Sequence, residues 1–203
     1  AQLNRDGSLP LPSADLLAVL SLSSSLHDAT NGAFDPTIQP LWQAHAQAVS
    51  QQQTLDSATL AGLQKQIGWQ HVRMDTTEIH LTRAGMALTL NGIAQGYITD
   101  RIATLLRTRG LRNVLIDMGE IAALGQRADG QPWRAGISDV DGNILRRITI
   151  QDRALATSAP LGTVLDPLGK TGHILDPQMQ SAPACTLVSV SAPTAALADG
   201  LST

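Results

Sequence analysis

Aromatic side chains are nearly missing from this chain, which has one Phe, one Tyr and three Trp in 203 residues. A core of adequate size must therefore be assembled from Leu, Ile, Val and Ala, and the length suffices for one ordinary domain. Cysteine is as scarce. Cys185 stands alone, which excludes an internal disulfide and a cysteine-based zinc cluster. Between Ala184 and Thr186, in a β-like run, it reads as a small buried hydrophobe, and a single thiol does not identify a compartment. Charged residues make up only 15% of the chain, the formal net charge is −3, and no basic patch stands out. Nucleic acid is therefore not expected as a partner. No apolar run is long enough to span a bilayer and no signal-peptide pattern is present. The chain opens at Ala1-Gln2-Leu3-Asn4 and stops at Leu201-Ser202-Thr203, and both ends read as cut.

What is there alternates between helical and extended patterns. Ser13 can cap a helix that carries Asp15 in its first turn and Leu16, Leu17, Leu20 and Leu26 at helical spacing, with Asn31-Gly32 as its stop. Residues 43–53, glutamines among alanines, read as a polar surface segment. A second helix is expected from about Ser57 to Gln66, ending at Gly68. Two or three short strands are expected between Trp69 and Leu90, with a turn at Asp75-Thr76-Thr77. A helix from about Ala94 to Arg109, closed by Gly110, precedes a buried-strand pattern at 113–117. Further strands are expected at 120–124, 133–138, 145–151 and 185–191, and a loop over Pro160 to Gly172. No internal repeat is visible. Antiparallel meanders after residue 113 point to an α+β fold rather than a doubly wound one.

Four separated pieces carry chemistry. At Asn91–Gly96 a β-like run (Ala87, Leu88, Leu90) breaks at Asn91-Gly92, crosses Gly96 and becomes a helix. That arrangement presents backbone N–H groups and a positive dipole end to an anion such as phosphate; a plain β-to-α turn reads the same way. Thr30 to Trp42 holds the only Phe and two prolines where a helix ends. Gly172-His173-Ile174-Leu175-Asp176-Pro177 sets a histidine after a glycine-rich loop, and catalytic and structural readings both stay open. Asp199 and Thr203, four apart, lie on one helix face. As hard oxygen donors they suit Mg²⁺ beside a phosphate; the alternative is a helix-capping Asp199.

Taken together, in this order and spacing, the pieces resemble the ApbE-like family of FAD:protein FMN transferases. The family's Gly-x-Phe-Asp-Pro-Thr-x-x-Pro-Leu element is matched in full by Gly32 to Leu41. Its Asp-Leu-Gly-Gly-Ile-Ala-Lys-Gly-Tyr-x-x-Asp element is matched by Thr89 to Asp100, its His-Ile-x-Asp-Pro element by His173 to Pro177, and its Asp-x-x-x-Thr element by Asp199 to Thr203. Val114 to Gly125 looks like the family's strand and glycine turn. The resemblance covers essentially the whole chain and implies one ApbE-like domain of α+β, T-fold-type architecture, with a mixed or antiparallel sheet and packed helices. It also implies that family sequence before Leu3-Asn4 and after Thr203 is missing here.

The activity implied is transfer of FMN from FAD to a Thr or Ser hydroxyl of a partner flavoprotein, with Mg²⁺ at the pyrophosphate and AMP leaving. By resemblance Ala33, Phe34 and Asp35 line the FAD site, Thr89 and Gln95 stand at FAD-contact positions, and Ile174 packs beside the cofactor. Gly92 (through its carbonyl), Asp199 and Thr203 are implied metal ligands, with Ser202 a further candidate. His173 is the implied acceptor of the hydroxyl proton. The implied setting is periplasmic, with membrane attachment only through a lipid anchor outside this chain. Four departures bear on activity. Thr89 stands for the family's Asp, Gln95 for its Lys, Gln178-Met179-Gln180 for Arg-Thr-Gly, and Ala159 for the Gly of Thr-Ser-Gly. A non-catalytic flavin-donor protein and an FAD pyrophosphatase are the competing expectations.

Overall fold

Ser13 does what its position predicts. In the computed structural model, which describes residues 1–165, 172–179 and 185–203, its Oγ accepts the Leu16 N–H at 3.2 Å and starts a helix at Ala14. That helix is α2 (Ala14–Ala29), preceded by α1 (Gln2–Asp6) and β1 (Ser8–Pro10). It stops where Asn31 and Gly32 take positive φ angles of 51° and 82°, the left-handed geometry that Gly and Asn tolerate best. Beyond it come α3 (Gln39–Ser50), α4 (Ser57–Gln64), β2 (Val72–Met74) and β3 (Glu78–Leu81). These elements, with the described residues from Thr163 to Met179, form the first of two compact units. Its small antiparallel sheet has the order β1-β3-β2. Leu20 from α2 packs there with Leu3, Trp69, Ile79, Leu81, Met86 and Leu88.

Two expectations change in this unit. Residues 43–50 are not a bare surface segment but the body of α3, with Pro40, Leu41 and Ala48 buried. The glutamines do face solvent; alanine and glutamine are good helix formers, and three buried contacts suffice to dock the helix. Residues 86–90, β-like in pattern, are buried at Met86, Ala87 and Leu88 but belong to no sheet. Their backbone bonds go to a side chain instead. Asn4 donates from Nδ2 to the Leu88 carbonyl and accepts the Leu88 N–H at Oδ1, both at 2.8 Å. The Thr89 N–H finds the Pro36 carbonyl at 2.9 Å.

The second unit comprises residues 91–162 and 185–203. It opens with α5 (Ala94–Thr108), continues with β4 (Val114–Asp117), β5 (Ile121–Leu124), β6 (Trp133–Ser138), β7 (Ile144–Ile150), β8 (Arg153–Ser158) and β9 (Val188–Ala192), and closes with α6 (Ala195–Ser202). The main sheet runs β4-β5-β8-β9, every pairing antiparallel, while β6 and β7 form a separate hairpin. On one face of the sheet Ala103 of α5 meets Ile116, Ala122 and Leu124. Ala123 and Leu155 pack with Ala135 and Ile150 of the hairpin.

Strand β8 is absent from the sequence reading, yet it is central in the sheet with Ala154, Leu155 and Ala156 all buried. Its alanines give no β-signal of their own; tertiary pairing on both edges makes the strand. They do allow α6 to approach closely, in a cluster of Ala154, Ala156, Ala192, Ala195 and Ala198. Cys185 is exposed, not the buried hydrophobe expected, because β9 begins only at Val188 and the thiol precedes the packed strand.

Candidate functional site

In the first unit the Gly32–Leu41 element is built around a buried carboxylate. Asp35 caps a short 3-10 turn, Pro36–Ile38. Its Oδ1 accepts the Thr37 N–H at 2.8 Å and the Thr37 hydroxyl at 2.6 Å. Its Oδ2 accepts the Trp69 N–H at 3.2 Å and lies 3.6 Å from Nδ1 of His27. Thr37 Oγ1 in turn accepts the Gly68 N–H at 2.7 Å. The carboxylate is thus engaged in holding two chain segments together. Phe34 is buried, Ala33 is exposed, and the Phe34 carbonyl faces His27 Nδ1 at 3.1 Å. A cavity of about 270 Å³ opens here, lined by His27, Gly32, Asp35, Gly68, Pro177 and Gln178 among others. Gln178 reaches the Asn31 carbonyl with Nε2 at 3.1 Å.

His173 is oriented by one carbonyl. Its own N–H and its ring Nδ1 both meet the Thr163 oxygen at 3.0 Å. A carbonyl only accepts, so Nδ1 donates and the lone pair of the neutral ring lies on Nε2. That tautomer is the one a proton acceptor needs. Ile174 follows directly and is half-buried, and Thr89 sits at the end of the 86–90 segment held to Pro36.

The remaining site residues of the sequence reading lie in the second unit, and there the structure brings them together. Asn91-Gly92-Ile93 turns into α5. A Cβ on Gly92 would stand 2.8–3.2 Å from the Thr203 side chain, so glycine is what lets Thr203 pack on this turn. Asp199 lies within α6, not at its start, and is only 5% exposed; Thr194 is the cap. Asp199 Oδ2 accepts the Gly96 N–H at 3.0 Å. Its main-chain carbonyl accepts the hydroxyls of Ser202 at 3.0 Å and Thr203 at 3.1 Å. Ser202 also meets Ser158 Oγ at 2.8 Å. Burial pushes the Asp199 carboxyl above the usual carboxylate range, with the Gly96 N–H opposing in part. Gln95 donates to the Met118 carbonyl at 2.6 Å and braces the β4–β5 turn.

Two residues passed unnoticed in the sequence. Asp100, the last position of the Thr89–Asp100 element, accepts the N–H groups of Ala195 at 2.8 Å and Ala196 at 2.9 Å, one with each oxygen. It satisfies the open first turn of α6 and so fixes the helix that carries Asp199. Glu120 sits in the β4–β5 turn. Burial, then the charges of Asp199 and Asp117, push its carboxyl up to about 7. Its Oε2 is buried with no hydrogen-bond partner among the described residues. Only the position of Asp100 in its element offered a signal; Glu120 offered none.

A family model describes this ordering of elements from end to end, matching residues 1–203. The chain belongs to the ApbE family. The FAD:protein FMN transferase of Klebsiella pneumoniae (strain 342) is 26% identical over 96% of this chain and 59% of its own length. The FAD:protein FMN transferase of Chlamydia pneumoniae is 31% identical over 94% of this chain and 62% of its own. Among solved structures, the flavin transferase ApbE from Vibrio cholerae superposes with a TM-score of 0.76 at 26% identity, covering 94% of this chain and 63% of that one. The chain thus spans about three fifths of the relatives it matches. The expected ApbE-type α+β architecture is the one observed.

Within the ApbE frame the second-unit cluster is an oxygen site. Among the described residues no three His, Cys, Asp or Glu side chains converge as a metal cage. An ion here would draw instead on one or two carboxylates, hydroxyls, a carbonyl and the oxygens of a bound phosphate, which is how Mg²⁺ is commonly held. The orphaned Glu120 oxygen and the hard-donor set fit such an ion.

Proposed function

We propose that this chain carries Mg²⁺-dependent FAD:protein FMN transfer, forming a phosphoester on a Thr or Ser hydroxyl of a partner flavoprotein and releasing AMP. The observation that carries the reading is the convergence of Asp199, Ser202, Thr203 and Gly92 at the entrance to α5. A helix entrance of this kind favours an anionic group, and the oxygens beside it suit a hard cation. Gly92, Asp199, Thr203 and Ser202 would hold Mg²⁺, which when bound supplies charge neutralisation at the pyrophosphate. His173, with Nδ1 held by Thr163, offers Nε2 to the acceptor hydroxyl. As the proton passes to Nε2, the acceptor oxygen bonds to the phosphorus of the FMN half, and the bond from that phosphorus to the AMP oxygen breaks. No covalent enzyme intermediate is required. Ala33, Phe34, Asp35, Thr89, Gln95 and Ile174 contribute the flavin-nucleotide contacts in this reading. The setting we propose is periplasmic, with any membrane attachment through a lipid anchor outside this chain.

A second reading rests on Gln178. It lines the cavity at a position where the family pattern has Arg, so no guanidinium stands at that position, and water could replace the acceptor hydroxyl. The protein would then be an FAD pyrophosphatase or, without cleavage, a flavin donor. Incubation with FAD, Mg²⁺ and an acceptor domain, read by intact mass, separates the three. Gain of one FMN on the acceptor, abolished by EDTA and by Asp199→Ala, is the expected result. AMP release without acceptor gain establishes hydrolysis, and intact bound FAD establishes the donor.

A further inference from the structure

The first turn of α5 grips two acidic elements at adjacent residues. Gln95 donates to the Met118 carbonyl at 2.6 Å and so fixes the turn that ends in Glu120. Gly96, next along, gives its N–H to Asp199 Oδ2 at 3.0 Å. The Gly119 backbone lies directly against the Gln95 amide, and its φ of +96° leaves no ordinary alternative to glycine. The turn is therefore held close to the helix entrance, with Glu120 directed by a short, constrained backbone.

Glu120 Oε2 is buried and unpartnered among the described residues. Leaving a buried carboxylate oxygen without a donor is among the more expensive arrangements in a folded chain, and such groups call for a specific partner. Adjacent residues of α5 hold the Glu120 turn and the Asp199 carboxylate, and burial, then the charge of Asp199, push the Glu120 carboxyl up. A carboxyl pair in this environment resolves its repulsion with a proton or with a cation. Asp199 also gathers hard oxygen donors, its main-chain carbonyl accepting the Ser202 and Thr203 hydroxyls, and such donors favour the cation.

We propose that Glu120 is a second carboxylate for the divalent cation held by Asp199, oriented by the Gln95–Met118 hydrogen bond and acting on the ion or on a water bound to it. The inference rests on the metal-dependent reading of the Asp199 site. It adds a residue outside the four sequence elements that define the family resemblance.

The test is Mn²⁺ binding, followed by electron paramagnetic resonance of the free ion, with and without FAD, in wild type, Glu120→Gln, Glu120→Asp and Asp199→Asn. Melting temperatures are recorded in EDTA alongside. Residues that support a metal through its near surroundings typically change affinity 10–100-fold, so Glu120→Gln is expected to weaken Mn²⁺ binding roughly tenfold or more. Its metal-free melting temperature should not fall, because the substitution removes a charge from beside Asp199. Unchanged Mn²⁺ affinity in Glu120→Gln overturns the proposal, since glutamine reproduces a merely neutral, structural Glu120. Should Glu120→Gln melt lower without metal, Glu120→Asp decides: recovered binding supports the proposal, and binding as weak as in Glu120→Gln overturns it. Binding lost in Asp199→Asn but kept in Glu120→Gln overturns this inference alone. A wild type that binds no Mn²⁺ in either condition overturns the metal reading with it.

Discussion

Gly96→Ala tests how the two helices of the second unit hold the site. A Cβ at Gly96 would stand 2.6 Å from the Ala195 carbonyl carbon and 2.7 Å from Ala196 Cα, with the Ala195 oxygen nearer still. Every one of these atoms is backbone, so no rotamer change relieves the clash. Restoring carbon–carbon separations of about 3.5 Å requires moving α6 by roughly 0.9 Å. The start of α6 is pinned by both oxygens of Asp100. Alanine gains about 1 kcal/mol over glycine in helix propensity. Overpacking against rigid backbone costs about 1–3 kcal/mol, and more where the neighbour cannot move. We expect a net loss of about 2 kcal/mol, which at about 2–4 °C per kcal/mol for chains of this size lowers Tm by about 4–8 °C. Gly62 in α4 is the control: nothing lies within 4 Å of its Cβ position, so Gly62→Ala should stabilise by up to about 1 kcal/mol. Calorimetry of both variants is the assay. A Gly96→Ala protein as stable as wild type would refute the close approach of α5 and α6, and with it the rigid seating of Asp199 on the Gly96 N–H.

Three further outcomes follow from single contacts. Thr37→Val keeps the shape but strands the Gly68 N–H and removes a donor from Asp35; urea unfolding should show a loss of about 2–3 kcal/mol, and a loss under 0.5 kcal/mol would deny this network its role. Asn4→Ala unpairs both backbone groups of Leu88, so hydrogen exchange at the Leu88 amide should accelerate at least tenfold while the Thr89 amide, bonded to Pro36, changes less. Cys185, exposed, should titrate fully with a thiol-specific disulfide reagent in the native protein; a thiol that reacts only in denaturant would restore the buried reading.

Elements with local punctuation were legible in the residues alone. Ser13 and Asn31-Gly32 delimit α2 to within two residues, and Gly110, at φ +86°, ends the pattern that became α5. Elements without it were not. β8 is made by β5 and β9 on its two edges, and alanines at its buried positions serve α6 rather than any strand preference. The 86–90 segment has an extended pattern but takes an asparagine side chain where a strand would be, a substitution no periodicity can reveal. In α3 the polar, solvent-facing character is legible and the helix is not, because three buried positions in twelve make too sparse a stripe to stand out from the sequence.

The site divides along the same line. Spacing of four set Asp199 and Thr203 on one helix face in the sequence; in the structure the Thr203 side chain packs against the Gly92 turn and Asp199 accepts the Gly96 N–H. Asp35 and Asp100 were legible as positions but not as parts. Both lie in defining elements of the family, yet in this structure each carboxylate is occupied with backbone N–H groups of a distant segment. Such residues tie an element to its partner, which explains why an element can keep its form while chemistry-facing positions drift. Gln95 illustrates the point. It replaces a lysine of the family pattern, but the side chain still donates, and the Met118 carbonyl it serves asks only for a donor. The substitution removes a charge without loosening the turn that carries Glu120. Glu120 itself was illegible because a lone glutamate in a turn is ordinarily a solvated charge. Only the burial of its unpartnered Oε2, in a turn braced against the start of α5, gives it a reason to be there.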